Sequence, residues 1–168
     1  MKFRTTKEKL FSALNETNKI IPLRTTLPIL SCIFLEARQN KINLRATDLE
    51  QTIITSFDAE VPIEGETAIP GNRFAEIVSA LPSGALEVSL GENREIEISS
   101  PKGLYKIIGK DPTEYPEIPT LTKEQQIKLK GQDLLDIINN TLYAVSKDDL
   151  KPALCGIYLN FEGPLWKF

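Results

Sequence analysis

The chain has 168 residues, a net charge of −3, 41% hydrophobic and 26% charged residues, and no histidine. That length accommodates one folded domain and a remainder, and the composition is globular rather than disordered. The absence of histidine excludes imidazole bases, Ser-His and Cys-His nucleophiles and histidine metal ligands, while Cys32 and Cys155 form no C-x-x-C zinc motif and read as reduced thiols.

The acidic balance argues against coating nucleic acid by bulk charge. No apolar signal segment follows residues 1–4. The longest apolar stretch, 27–35, is far shorter than the roughly 20 residues that span a bilayer. A cytoplasmic chain without a membrane partner is the expectation.

Residues 7–21 are predicted helical: Leu10, Phe11 and Leu14 make one stripe that Ile21 continues, and Thr6 can cap the start. A strand is predicted over 27–37, with Pro28 near its beginning. Ile42, Leu44 and Ala46 alternate with polar residues, which predicts a strand over 41–47, and 52–61 reads as a third. The order then repeats. A strand at 66–69 leads into a helix at 71–81, where Phe74, Ile77, Val78 and Leu81 fall at i, i+3, i+4 and i+7. Strands at 86–90, 95–99 and 104–108 follow. The first 110 residues therefore read as two β-α-β-β-β units in series.

Pro112, Pro116 and Pro119 mark 110–123 as a linker. A strand at 127–130, a helix carrying Leu134, Leu135, Ile137, Ile138 and Leu142, and a strand at 154–161 complete the chain. This last stretch repeats the first at a constant offset of 124 residues. Phe3 matches Ile127, Leu10 matches Leu134 and Leu14 matches Ile138. Pro28 matches Pro152, Leu30 matches Leu154, Ile33 matches Ile157 and Leu35 matches Leu159. Seven matches at one spacing indicate a duplicated domain whose second copy is cut short.

Four segments occur in order: Met1-Lys2-Phe3, Arg24-Thr25-Thr26-Leu27-Pro28-Ile29-Leu30, Ala46-Thr47-Asp48-Leu49-Glu50 and Tyr115-Pro116-Glu117-Ile118-Pro119. Together with the duplication they resemble the bacterial DNA polymerase III β subunit family, the sliding clamps. The resemblance covers residues 1 to about 163, and the last six residues do not resemble the family. It implies an α+β clamp fold, with two β-α-β-β-β units per domain and helices on one side of antiparallel sheets. Residues 1–122 would be the first clamp domain and 123–168 the incomplete start of a second, so the chain is expected to be a truncated form.

By the same resemblance the function is that of a DNA-encircling processivity factor, not an enzyme, with no cofactor or metal. Its partners would be duplex DNA held without sequence preference, the replicative polymerase, the clamp loader and, at full length, a second subunit closing a ring. A non-enzymatic interaction module on the same duplicated fold, acting away from DNA, is the alternative.

Residues 1–24 carry Lys2, Arg4, Lys7, Lys9, Lys19 and Arg24 against Glu8 and Glu16, a net of +4. The resemblance sets the first helix on the inner wall of the ring, where basic side chains would touch phosphates without reading bases. It implies DNA contacts for Arg24 and Arg73, with Asn72 the alternative match to Arg73, and for Lys147 and Lys151. Ile77, Leu81, Tyr105 and Ile107 match a subunit contact surface; an ordinary core position fits them equally. Leu154 matches a groove for partner peptides. Asp48 and Glu50 are the best acid-base pair in the chain, yet solvated acids at a strand end are the expected reading.

Overall fold

The computed structural model describes residues 1–22, 24–117, 129–148, 150–162 and 165–167. Two compact units result, Met1–Pro119 and Thr120–Phe168.

The first unit begins with strand β1 (Lys2–Thr6) and helix α1 (Lys7–Thr17). The Thr6 hydroxyl accepts from the Lys9 N–H at 3.5 Å, capping the helix. Leu10, Ala13, Leu14 and Thr17 form its buried face. The helix was expected to reach residue 21 but ends at Thr17, followed by a 3-10 turn, Asn18–Ile20. Pro22 disfavours a helical conformation for the residue before it, and Ile21 is extended at φ −65°, ψ 119°.

The strand expected over 27–37 also starts late. Pro28–Ser31 is a 3-10 turn, and β2 spans Cys32–Arg38. Proline suits the first position of a helical turn, and the Ser31 hydroxyl donates to the Pro28 carbonyl at 2.7 Å. Gln39 and Asn40, both at positive φ (50° and 58°), make the two-residue hairpin to β3 (Lys41–Thr47). The stretch expected as one strand over 52–61 divides into β4 (Thr52–Asp58) and β5 (Glu60–Ile63), which join different sheets. Asn40 effects the change of direction: its carbonyl accepts from the Ala59 N–H at 3.0 Å and its side chain from the Val61 N–H at 3.2 Å.

The second half holds β6 (Gly65–Pro70), α2 (Gly71–Ala80), β7 (Ala85–Leu90), β8 (Glu95–Ser100) and β9 (Gly103–Ile108). The sheets are antiparallel and ordered β4-β3-β2-β6 and β5-β1-β7-β8-β9. Each half thus gives its leading strand to the sheet of the other. Lys2 to Thr6 pair with Ser89 to Ala85, and β6 pairs along β2. This exchange relates the halves by a pseudo-two-fold, and both helices pack on the inner faces of the sheets and on each other.

One core results. Ile33, Leu35, Ile42 and Leu44 from one sheet meet Phe3, Leu86, Val88, Ile96 and Ile98 from the other, with Leu10, Leu14, Phe74 and Val78 from the helices. Gly71, the first residue of α2, packs against the first half. A Cβ there would lie 2.2 Å from the Ile21 Cδ1 and 2.7 Å from the Asn18 Oδ1.

A second, smaller cluster lies on the outer face of the four-stranded sheet: Ile29, Leu30, Cys32, Phe34, Ala68 and Tyr115. Residues 110–123 were expected to be a linker, yet Tyr115 is only 6% exposed and packs on Phe34 at 5.4 Å between ring centroids. Ile118 and Pro119 lie outside the described residues.

The second unit contains α3 (Gly131–Thr141), 3-10 turns at Leu142–Ala144 and Pro152–Leu154, and a hairpin of β10 (Asn160–Glu162) and β11 (Leu165–Lys167). The strand expected at 127–130 falls partly outside the described residues, and Leu129 and Lys130 are not in a strand. The strand expected over 154–161 starts only at Asn160, and the Pro152–Leu154 turn occupies the first of its expected residues. The offset of 124 holds in the backbone. Lys7–Thr17 becomes Gly131–Thr141, Asn18–Ile20 becomes Leu142–Ala144, and Pro152 repeats Pro28 at the head of a 3-10 turn.

Candidate DNA and subunit surfaces

The basic residues of the amino-terminal segment divide into two groups. Lys2 and Arg4 project from β1 into ion pairs: Lys2 to Glu87 at 2.7 Å, and Arg4 to Glu87 at 2.8 Å and to Glu60 at 3.1 Å. Hydrogen bonds from Lys2 and then Arg4 hold the Glu87 carboxyl below the usual carboxylate range. The Lys9 ammonium donates to the Asp58 carbonyl at 3.3 Å, and Lys7 lies over the Phe11 ring at 5.3 Å. Lys19 and Arg24 pair with no acid among the described residues. The net charge of +4 is therefore not one continuous basic face, because β1 spends two of its cations on sheet carboxylates.

Arg24 is exposed, in the loop between the Asn18–Ile20 turn and the Pro28–Ser31 turn. The Thr25 hydroxyl shapes that loop, accepting from the Leu27 N–H at 3.0 Å. Arg73 is exposed in the first turn of α2 and reaches Glu76 at 3.3 Å, a solvated i,i+3 pair that leaves it available to an anion. Asn72 beside it is also exposed. Lys147 and Lys151 belong to the second unit and are exposed in the segment joining the Leu142–Ala144 and Pro152–Leu154 turns. The Ser146 N–H closes that segment by donating to the Leu154 carbonyl at 2.9 Å. Leu154 itself is exposed at the end of the Pro152–Leu154 turn.

Two of the four residues matched to a subunit surface are core. Leu81 is 3% exposed and Ile107 7%. Leu81 completes the inward stripe of α2, and Ile107 pairs with the fully buried Ile96 on the inner face of β9. Ile77 is partly buried against the same core. Tyr105 shares the face of Ile107 but sits nearer the rim, 39% exposed. The apolar residues that β9 presents outward are Leu104 and Ile108, neither of them among the candidate contact residues. Strand alternation is the signal that finds them. Because β9 is the edge of its sheet, its outer backbone groups lack a strand partner among the described residues.

Asp48 and Glu50 do not form an acid-base pair. The Asp48 carboxylate accepts from the Glu50 N–H at 3.0 Å and from the Gln51 N–H at 2.7 Å. It thereby builds the β3–β4 turn, in which Leu49 sits at φ 81°. No group of three or more acidic or cysteine side chains converges among the described residues in a manner that could hold a metal ion.

Tyr115, read from the sequence only as part of a motif, is the centre of a packed cluster. Its hydroxyl donates to the carbonyls of Arg45 at 3.1 Å and Cys32 at 3.3 Å, and the Arg45 guanidinium lies 4.1 Å over the Phe34 ring. Burial pushes the Tyr115 phenol up to about 12. The cluster fastens the segment after β9 to the outer face of the β2–β3 pair.

Comparison with known proteins decides the family. The model of the DNA polymerase III beta subunit, N-terminal domain, matches residues 1–119. The chain belongs to that family. It is 33% identical over 165 residues to the beta sliding clamp of Staphylococcus epidermidis, covering 94% of this chain and 44% of that one. The Staphylococcus aureus beta sliding clamp is 31% identical over the same length. Among solved structures, the beta subunit from the DNA polymerase of Streptococcus pyogenes superposes with a TM-score of 0.90 at 25% identity, over 95% of this chain and 43% of that one. The DNA polymerase sliding clamp of Bacillus subtilis gives 0.86 at 26%, over 90% and 42%. The chain thus spans less than half the length of the relatives it matches. The α+β clamp fold, with both helices on one side of antiparallel sheets, is the fold the sequence led to expect.

Proposed function

We propose that this chain is the amino-terminal part of a DNA-encircling sliding clamp, a processivity factor for the bacterial replicative polymerase. Met1–Pro119 serves as the first clamp domain and the following unit as the opening of a second. The observation that carries the reading is the pairing of α1 and α2 on one side of two exchanged sheets, in a chain whose first 119 residues match the beta subunit. The helix side faces DNA, and the exposed Arg24 and Arg73, with Lys147 and Lys151, touch phosphates without reading bases.

The chain works in the cytoplasm and catalyses nothing. Clamp loader and polymerase are its partners, and Leu154 contributes to the groove that takes their peptides. In a full-length clamp, the edge of β9 with Tyr105 and Ile77 meets the next subunit of a two-chain ring. No helix among the described residues is long and apolar enough to cross a membrane.

Fluorescence anisotropy with two unrelated duplexes across a salt series tests the reading. Three or four phosphate contacts give a slope of log K against log salt of about −3. Binding is expected to be weak and equal for both duplexes, and Arg24→Ala to reduce the slope by about one unit. Sequence preference, or a slope that Arg24→Ala leaves unchanged, would sink the inner-wall assignment in favour of an interaction module that acts away from DNA.

A further inference from the structure

Helices α1 and α2 form the side of the first unit that the proposed function turns toward DNA, yet they carry no excess of positive charge. Lys7, Lys9 and Arg73 are matched in number by Glu8, Glu16 and Glu76. Helix α3 of the second unit carries Asp133 and Asp136 and no basic residue. The three cations of α1 and α2 are also engaged. Lys7 lies over the Phe11 ring, Lys9 donates to the Asp58 carbonyl, and Arg73 meets Glu76 at 3.3 Å. Of the acids, Glu16 accepts from the Thr55 hydroxyl at 3.3 Å. Glu76 is the one acid of these two helices that pairs with a cation among the described residues.

The helix sets this pair. Residues three apart share a face, and burial of Phe74 and Val78 leaves the face of Arg73 and Glu76 outward. The two side chains are 71% and 67% exposed, so water and salt screen the attraction and the pair opens at little cost. A phosphate, which can take two guanidinium N–H bonds at once, is able to displace the carboxylate.

We propose that Glu76 competes with DNA phosphate for Arg73 and so sets how much of the grip on DNA depends on salt, a role that rests on the DNA reading of the helix side. A basic side chain that neutralises a phosphate releases about 0.9 of a condensed cation, which is why binding weakens as salt rises. Arg24, with no acid partner among the described residues, makes a contact of that kind. Arg73 does not. When its guanidinium moves to a phosphate, the Glu76 carboxylate is left bare beside that phosphate, and a cation from solution takes the vacated place. Release and uptake nearly cancel. Arg73 then positions the duplex against α2 while adding little to the salt slope, and the slope of about −3 belongs to Arg24, Lys147 and Lys151. Such a contact is made and broken along the backbone with little change in free energy, which suits a protein that slides.

A double-mutant cycle read by fluorescence anisotropy on one duplex across a salt series tests this. Glu76→Gln is expected to bind several-fold tighter at low salt and to steepen the slope of log K against log salt by about one unit. Arg73→Ala should move the slope by less than about 0.3 of a unit in the native background and by about one unit in the Glu76→Gln background. Glu16→Gln removes the same charge from α1, away from Arg73, and should leave the native slope in place. Arg73 and Glu76 are exposed, so the thermal transitions of their variants should not move, and a change in binding is not a change in fold. An equal effect of Arg73→Ala in both backgrounds, or equal gains from Glu16→Gln and Glu76→Gln, would overturn the competition while Arg24→Ala keeps its effect. If Arg24→Ala also leaves the slope unchanged, the DNA reading of the helix side falls and the proposal with it.

Discussion

The Tyr115 hydroxyl donates to the backbone carbonyl of Arg45 at 3.1 Å, while the Arg45 guanidinium rests 5.7 Å from the centre of the Tyr115 ring. The segment after β9 is therefore anchored to the middle of β3 by both ends of one side chain. Removing the whole ring and removing only the hydroxyl are expected to differ. Tyr115→Ala should cost about 3–5 kcal/mol, as large aromatic truncations in a packed site do. Tyr115→Phe should cost about 1 kcal/mol, since the ring still covers Phe34. Equilibrium urea unfolding measures both, and equal losses would show that the ring packing is not what holds the segment.

The same phenol sets an alkaline limit. Its folded value is pushed up to about 12 by burial, against an ordinary value near 10. A raised folded value means that the folded state keeps a proton which the unfolded chain loses first. The contribution is fully present below pH ~10 and is lost as pH rises toward about 12. Stability of the wild-type chain is expected to fall across that window, and Tyr115→Phe should flatten the fall. An unchanged slope in the variant would assign it to other groups.

Gly71 tests the junction of the halves. Alanine would bring a methyl against Ile21, Asn18 and Ile33 at distances no larger than 3.0 Å. Overpacking of this kind is expected to destabilise the first unit by about 1–3 kcal/mol, read as a lower urea midpoint with an unchanged m-value. A neutral Gly71→Ala would mean that α2 can slide along the sheet without loss.

Ile107 and Tyr105 separate core from surface on one strand. Ile107→Ala should cost about 2–5 kcal/mol in the chain alone, whereas Tyr105→Ala, nearer the rim, should cost about 0.5 kcal/mol or less. Comparable losses would return Ile107 to the surface.

Much of this fold is legible in the sequence because alternation and helical spacing are local signals. The strand 41–47 and the stripe of α2 need no tertiary information. What is not legible depends on partners distant in the chain. Nothing local in 52–61 says that its last residues leave one sheet for another; Asn40, some twenty residues earlier, makes that happen. Pro28 satisfies both a strand start and a helical turn, and the Ser31 hydroxyl selects the turn. Among the candidate site residues, Arg24 and Arg73 are legible as exposed cations, but Lys2 and Arg4 look equally free until β7 brings Glu87 beside them. Leu81 and Ile107 were open between core and contact because spacing fixes the face of a residue without fixing how deep along that face it lies.

The exchange of leading strands has a consequence for biosynthesis. Residues 2–6 leave the ribosome first, yet their partners on β7 are residues 85–89, and β2 must wait for β6 at 65–70. The four-stranded sheet cannot close on the nascent chain until residue 70 has emerged, nor the five-stranded sheet until residue 108, so folding of the first unit is delayed rather than progressive. Until then α1 exposes its apolar face to water, the interval in which a chaperone would engage it. The same interlock means that a break in the peptide between β5 and β6 need not separate the pieces, since each half is held in the other by a strand.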